Sequence, residues 1–376
     1  MNRRTLAIAA AAVAIIAIAA CSSGSSNGSS SGSSAASGSG SGGSSSSGGV
    51  AVPTQTVTLL THDSFAVTDS VLAGFEASTG IHIDVQKGQD AGALVNQAIL
   101  TKDNPQGDVL YGVDNTLIGK ATAAGLFEPY DSPANTDIPA ALQLDPSGHT
   151  VTSVDYSDVC VNFDKRQFDT AGKPAAPATL DDLTKPEYKG QLVVENPATS
   201  SPGLAFLLAT VQRYGETGYL DYWAKLKAND VKVVDGWTSA YEDTFTAGGG
   251  SGDRPLVVSY ATSPPADVYY ASPEKTTTDV GVVTDGCYRQ VEGAGILKGT
   301  KNRAAAEKVV DFLAGIDVQA DVPLQMFVFP VRTGTPLPND FTDYAVIISN
   351  PLQLPADVVA AKRDGWVADW TSAVLR

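Results

Sequence analysis

Cysteine, histidine and methionine are scarce in this chain of 376 residues, which has three, three and two of them. His62, His82 and His149 are scattered, and no His/Cys cluster shows metal-ligand spacing, so a zinc-type centre is excluded. The part that reads as folded also lacks a Gly-x-Ser-x-Gly nucleophile elbow. Basic charge is short: 25 Lys and Arg face 41 Asp and Glu, a formal net charge of −16 at pH 7. Phosphate backbones need clustered Lys and Arg, so nucleic acid is excluded as a partner. The acidity serves solubility and sets up a mild field favouring cations. Long apolar runs are missing as well. The uninterrupted stretch at residues 6–20 has 15 residues, short of the roughly 20 that a membrane span needs.

That stretch fits a targeting segment. Arg3 and Arg4 precede it, and it closes on Ile18-Ala19-Ala20-Cys21, which reads aliphatic, small, small, cysteine. The pattern resembles the lipobox of bacterial lipoproteins. It implies that residues 1–20 are a signal peptide and that Cys21 carries diacylglycerol on its sulfur; an incidental cysteine behind an ordinary signal is the alternative. From 22 to 49 the chain is Ser, Gly and Ala with one Asn. Such a segment has no apolar surface to offset its ordering entropy. As a Gly/Ser coil it spans roughly 30 Å root-mean-square. Residues 21–50 are therefore expected to tether an extracytoplasmic protein to the cell membrane through lipid.

About 325 residues remain, more than the ~250–300 at which single cores divide, so two lobes are expected. Predicted strands at 56–61, 81–86 and 107–113 alternate with predicted helices at 68–79, 93–100 and 117–124. This β-α-β-α-β start implies a parallel sheet whose ligand-facing loops lie at strand C-terminal ends. The stripe of the first helix is Val71, Leu72 and Phe75. An extended run at 151–163 follows. Next come a strand at 192–195, helices at 202–214 and 219–228, and strands at 231–234 and 256–260. Residues 281–284 and 290–297 read as extended, 303–314 as a helix, and 355–375 as one amphipathic helix or two. With 151–163 and 287–297 as crossings, lobe 1 is 51–158, lobe 2 is 159–288, and 289–376 returns to lobe 1. Cys160 and Cys287 fall in the crossings, and two thiols suffice for one bridge in an oxidising compartment. Two separate buried thiols are the alternative.

Four short stretches each follow a strand-like run. They are Thr61-His62-Asp63-Ser64-Phe65, Thr199-Ser200-Ser201-Pro202-Gly203, Gly236-Trp237-Thr238-Ser239-Ala240-Tyr241, and Ser259-Tyr260-Ala261-Thr262-Ser263-Pro264. They offer aromatic faces, small hydroxyls and backbone amides, an inventory suited to holding a flat, polar, cationic molecule. Gly112-Val113-Asp114-Asn115, Pro202-Gly203-Leu204 and Phe329-Pro330-Val331 complete the set. In this order and spacing, from residue 57 to the C-terminus with gaps, it resembles the thiamine-binding proteins of bacterial ABC importers. The resemblance implies an α/β, two-lobed type II periplasmic-binding-protein fold with the ligand cleft between the lobes. It also implies a monomer without cofactor or catalysis that captures thiamine or its phosphates and delivers it to an ABC permease.

The resemblance assigns roles as follows. Trp237 and Tyr260, with Tyr241 in the same motif, contact the ligand's rings; a core tryptophan is the alternative. Ser200, Ser201 and Gly203 open a helix whose unpaired amides would take a hydroxyl or phosphate, unless the serines are plain N-caps. Asp90 lies near the aminopyrimidine or the cation, and Asp63 belongs to the same site. Asp114 joins them unless it only caps the helix after Thr116. The chain departs from the family at His62 and Ala266, where tyrosine is common, and at Phe327, where tryptophan is. Tyr269 is a neighbour able to fill the gap at Ala266. Two other functions are weighed. Ferric-ion capture would use the pair Tyr269-Tyr270. A tethered hydrolase would need His62, whose neighbours Asp63 and Ser64 are expected to point apart along a strand.

Overall fold

The computed structural model describes residues 55–168, 170–249 and 251–376. The expected signal peptide, Cys21 and the Ser/Gly segment lie outside the described residues.

Strand β1 (Gln55–Thr61) alternates, burying Val57, Leu59 and Thr61. Helix α1 (Asp69–Thr79) ends at Gly80, whose φ of +69° makes the left-handed cap that favours glycine. Of its expected stripe only Phe75 is fully buried. Then follow β2 (Ile81–Lys87), α2 (Ala91–Leu100), β3 (Val109–Asp114), α3 (Ile118–Ala123) and the short β4 (Phe127–Glu128). Both β2 and β3 pair with β1 in parallel, as the alternating pattern implies.

The long β5 (Thr152–Asp164) leads to β6 (Leu192–Glu195) and α4 (Ser201–Ala228). Gly215, at φ +75° and ψ 165°, breaks α4 into the two helices expected from the sequence. Next come β7 (Lys232–Val234), a π-helical turn (Ser239–Thr244), β8 (Leu256–Tyr260) and α5 (Pro264–Tyr269). Strand β9 (Val280–Leu297) is continuous, where the sequence suggests two extended pieces. Gly286 at φ +75° and a register shift opposite Val159 and Val161 carry it through the interruption. The Cys160–Cys287 disulfide forms at this shift, with Cα atoms 4.4 Å apart.

The chain closes with α6 (Arg303–Leu313), α7 (Ile316–Gln325), β10 (Phe329–Pro330), α8 (Asn339–Thr342) and α9 (Ala356–Val374). Helix α7 was not anticipated; Pro323 in its last turn disguises the pattern. Helix α9 is one helix rather than two.

The strand order is β2-β1-β3-β9-β5-β8-β6-β7. Parallel triplets stand at each end, and β9 and β5 run antiparallel between them. Trp223 of α4 meets Trp370 of α9 edge-on at 5.4 Å, and a large apolar core surrounds them. A second cluster packs α1 and α6 against β1 and β3. These layers leave the C-terminal ends of the parallel strands facing one cavity.

Candidate functional site

The cavity holds about 970 Å³, the size range of small-molecule sites. His62 and Asp63 enter it from the end of β1, Lys87 from β2, Tyr111 from β3, and Ser201 and Pro202 from the start of α4. The turn after β7 supplies Trp237 and Tyr241, the end of β8 supplies Tyr260, and β9 supplies Glu292. Phe327 completes the wall from the turn before β10, held at φ +55°.

Trp237 stacks on Tyr241, with centroids 5.0 Å apart and planes 11° from parallel. Its Nε1–H donates to Ser259 Oγ at 2.8 Å. Tyr260 lies 6.5 Å away and is tilted by 50°. Trp237 and Tyr260 therefore meet at an angle and form a corner of the cavity, not two parallel faces. The polar residues around Trp237 anchor it. Its backbone N–H donates to Asp90 Oδ2 at 2.9 Å, and Thr238 Oγ1 donates to Asp63 Oδ2 at 2.7 Å. The backbone passes close by at Gly236, where a Cβ would sit 3.1 Å from that of Asp90.

Asp90 is nearly buried, and its Oδ1 accepts the Ser201 N–H at 3.0 Å. It thus joins the start of α2 to the start of α4 and to the Trp237 turn. Burial pushes its pKa up, and the two amide donors pull it back toward the charged form. The expectation that the α4 amides wait for a ligand is corrected. Ser201 N–H is held by Asp90, Pro202 has none, and Gly203 N–H donates to Ser200 Oγ at 3.2 Å. Ser200 is a buried N-cap outside the cavity wall, and a Cβ at Gly203 would meet Glu195 O at 2.6 Å. Asp114 is likewise not in the wall. It is fully buried, accepting from Thr116 N–H, Thr116 Oγ1 and Leu117 N–H. Burial raises its pKa to about 7.

An acidic group that the sequence reading missed lies at the cavity floor. Tyr111 Oη lies 2.5 Å from Asp155 Oδ2 and 2.7 Å from Glu292 Oε2. One phenol proton cannot serve two carboxylates. Burial, followed by the nearby Glu292, pushes Asp155 well above the carboxylate range. The Tyr111 hydroxyl thus ties Asp155 to Glu292. Oε2 of Glu292 also lies 3.4 Å from His62 Nε2, while its Oε1 makes no hydrogen bond among the described residues. The available signal was a charged residue inside the otherwise apolar run Val291-Glu292-Gly293-Ala294-Gly295. Burial alone would lower the His62 pKa; Glu292, then Asp90 and Asp155, outweigh it, and the pKa ends above 6.5.

Ser64 Oγ lies 2.9 Å from His62 Nδ1. This corrects the expectation that these side chains diverge: β1 ends at Thr61, and residues 63 and 64 turn. At the other rim Tyr270, rather than Tyr269, stands in the wall beside Ala266. Tyr269 packs edge-on against Phe327 at 5.9 Å. Among the described residues no group of three or more His, Cys, Asp and Glu side chains is placed to hold a metal ion.

The family described as bacterial extracellular solute-binding protein matches residues 104–347. The thiamine-binding periplasmic protein of Salmonella typhimurium is 30% identical over 327 residues, covering 85% of this chain and 94% of that one. Iron uptake protein A1 of Synechocystis is 24% identical over 307 residues, 80% and 82% of the two chains. A solved periplasmic thiamin binding protein superposes with a TM-score of 0.72 at 26% identity, over 85% and 96%. The chain belongs to the bacterial extracellular solute-binding proteins and has the two-lobed type II periplasmic-binding-protein fold.

Proposed function

We propose that the cavity captures thiamine and that the protein delivers it to the permease of an ABC importer. The observation that carries this reading is an aromatic corner beside a carboxylate that has one oxygen without a hydrogen bond among the described residues. Trp237, Tyr241 and Tyr260 present ring faces, and Glu292 Oε1 makes no hydrogen bond among the described residues. Thiazolium is a flat ring with a fixed positive charge. Over a π face it gains roughly 0.5–2 kcal/mol, and a desolvated carboxylate nearby adds to that selectively for a cation. His62, Asp63, Ser201 and Phe327 are read as further contacts, with Glu292 and Tyr270 added to them. Asp90, Asp114, Ser200 and Gly203 are read as supports that hold the wall in place. The thiamine-binding relatives support the same ligand.

Within this reading the protein is a monomer that binds without catalysis. Lobe 1 is 51–158 with the return 289–376, and lobe 2 is 159–288. Lipid on Cys21 and the segment 21–50 anchor it to the membrane after loss of residues 1–20. Mass spectrometry of what co-purifies with the mature protein, followed by calorimetric titration with thiamine, tests the ligand. Absence of thiamine from the preparation together with no heat on titration would overturn it.

Ferric iron is the second reading, favoured by Tyr270 in the wall and by the iron uptake relative. Against it, Tyr269 packs outside the wall, so the pair contributes a single phenol. Iron held by phenolate would colour the protein, and a protein that stays colourless with ferric salt rules this reading out. The Ser64–His62–Glu292 chain is read as orienting the imidazole. Ester hydrolysis by the protein that disappears in Ser64→Ala would instead make it catalytic.

A further inference from the structure

We propose that Tyr270 supplies a second ring-binding face in this cavity, so that the protein selects a cation carrying two flat rings over one carrying a single ring. This deepens the thiamine reading and rests on it, since thiamine joins an aminopyrimidine to its thiazolium through one methylene. The corner of Trp237, Tyr241 and Tyr260 accounts for one ring. The other ring needs a surface of its own, and a cavity of about 970 Å³ has room for both.

Helix α5 delivers that surface. Tyr270 N–H donates to Ala266 O at 3.0 Å, so Tyr270 stands one helical turn after Ala266 and on the same face. Both line the cavity, and Tyr269 between them in sequence does not. Ala266 has no ring to offer; Tyr270 brings one to that side of the wall. Among the described residues Tyr270 is the exposed large apolar side chain that lines the cavity, with 65% of it open. An aromatic ring carries a large apolar area, so covering it with a flat ligand ring is favourable.

The ring is also held in place. Tyr270 meets Phe327 at 5.5 Å and 68°, and Tyr269 at 5.2 Å and 77°. Tyr269 closes the triangle onto Phe327 at 5.9 Å and 65°. None of these contacts is a flat stack, and such edge-on pairs are the favoured aromatic geometry. Phe327 is nearly buried at the base and belongs to a cluster with Phe329 and Phe341. Its φ of +55° is a left-handed conformation that a phenylalanine keeps only where the surrounding structure holds it. The cluster thus fixes where Tyr270 stands at the cavity mouth.

The test has two readouts. By calorimetric titration, Tyr270→Ala should weaken thiamine binding about tenfold, and Tyr270→Phe should stay within about threefold of the wild type. An unchanged Kd in Tyr270→Ala would overturn the proposal and leave the thiamine reading standing. An equal loss in Tyr270→Phe would assign the effect to the hydroxyl and overturn it too. The second readout is competition against thiamine by N-benzyl and N-methyl hydroxyethylthiazolium, which differ only in the second ring. On the wild type the benzyl compound should compete at least about fivefold better, and the gap should close in Tyr270→Ala. Equal competition by the two, or by neither, would overturn the proposal, as would a gap that persists in the variant. A wild type that does not bind thiamine would overturn both readings. Tyr270 is exposed, so the alanine variant should melt near the wild type; where it does not, Tyr270→Leu removes the π face with less loss of volume and takes its place in both readouts.

Discussion

Trp237 is fixed by a backbone bond to Asp90, an indole bond to Ser259 and a stack on Tyr241, and its remaining face belongs to the cavity. Trp237→Ala should weaken thiamine binding by about 1–3 kcal/mol, from lost apolar burial and lost cation–π attraction. That is roughly tenfold to a hundredfold in Kd. Trp237→Phe, which keeps a π face, should lose much less. The Asp90 bond is made by backbone and survives both changes, so the melting temperature should move little. A large drop in melting temperature with binding intact would return the residue to the core. His62 carries a pH prediction. Its pKa is raised in the folded protein by the facing carboxyls Glu292, Asp90 and Asp155, against the lowering effect of burial. A proton there competes with a cationic ligand for Glu292. Thiamine affinity should therefore increase as pH rises through the His62 pKa, measured by titration between about pH 5 and 8. His62's own contribution to stability runs the other way: complete below 6.5, the ordinary value, and lost as pH rises through the folded pKa. In His62→Gln the pH dependence of binding should flatten, and a slope that survives would assign it to another group.

At the scale of elements, α4 shows how one residue divides a helix. Gly215 adopts φ +75° and ψ 165°, a region only glycine enters readily, and a Cβ there would touch nothing within 4 Å. The cost of Gly215→Ala is therefore backbone strain alone, about 1–3 kcal/mol. Gly218, in ordinary helix with room for a Cβ, makes the control. Gly218→Ala should be neutral or stabilising by up to about 1 kcal/mol. Denaturant melts of the two variants read the difference, and equal stabilities would show that the break is not enforced by Gly215. Most elements were legible from the sequence, because β1 and β2 alternate with period two, β3 opens as a short continuous apolar run, and α1 and α6 carry apolar stripes. Helix α7 was not, because Pro323 interrupts its last turn. The continuity of β9 was hidden too, because Asp285-Gly286 reads as a turn until β5 pairs across it.

For the whole molecule, the anchor can be tested apart from the cavity. If Cys21 is lipidated, Cys21→Ala should release the protein to the medium or leave its signal uncleaved, read by fractionation and mass. Retention in the membrane at unchanged size and hydrophobicity would count against the anchor. The sequence by itself determined the class of fold, the family and the aromatic set. Local periodicity writes strands and helices, and parallel strands must deliver their following loops to one edge, which brings Trp237, Tyr241 and Tyr260 together. Only the tertiary structure decided which way the polar residues face. Asp90 reaches amides 111 and 147 residues away, and Glu292 meets His62 across 230. Ser200 and Asp114 turn inward to satisfy their own helix starts, and Tyr270 rather than Tyr269 lines the cavity. A buried polar group must find a partner wherever one is available in space, and spacing along the chain does not show where that partner is.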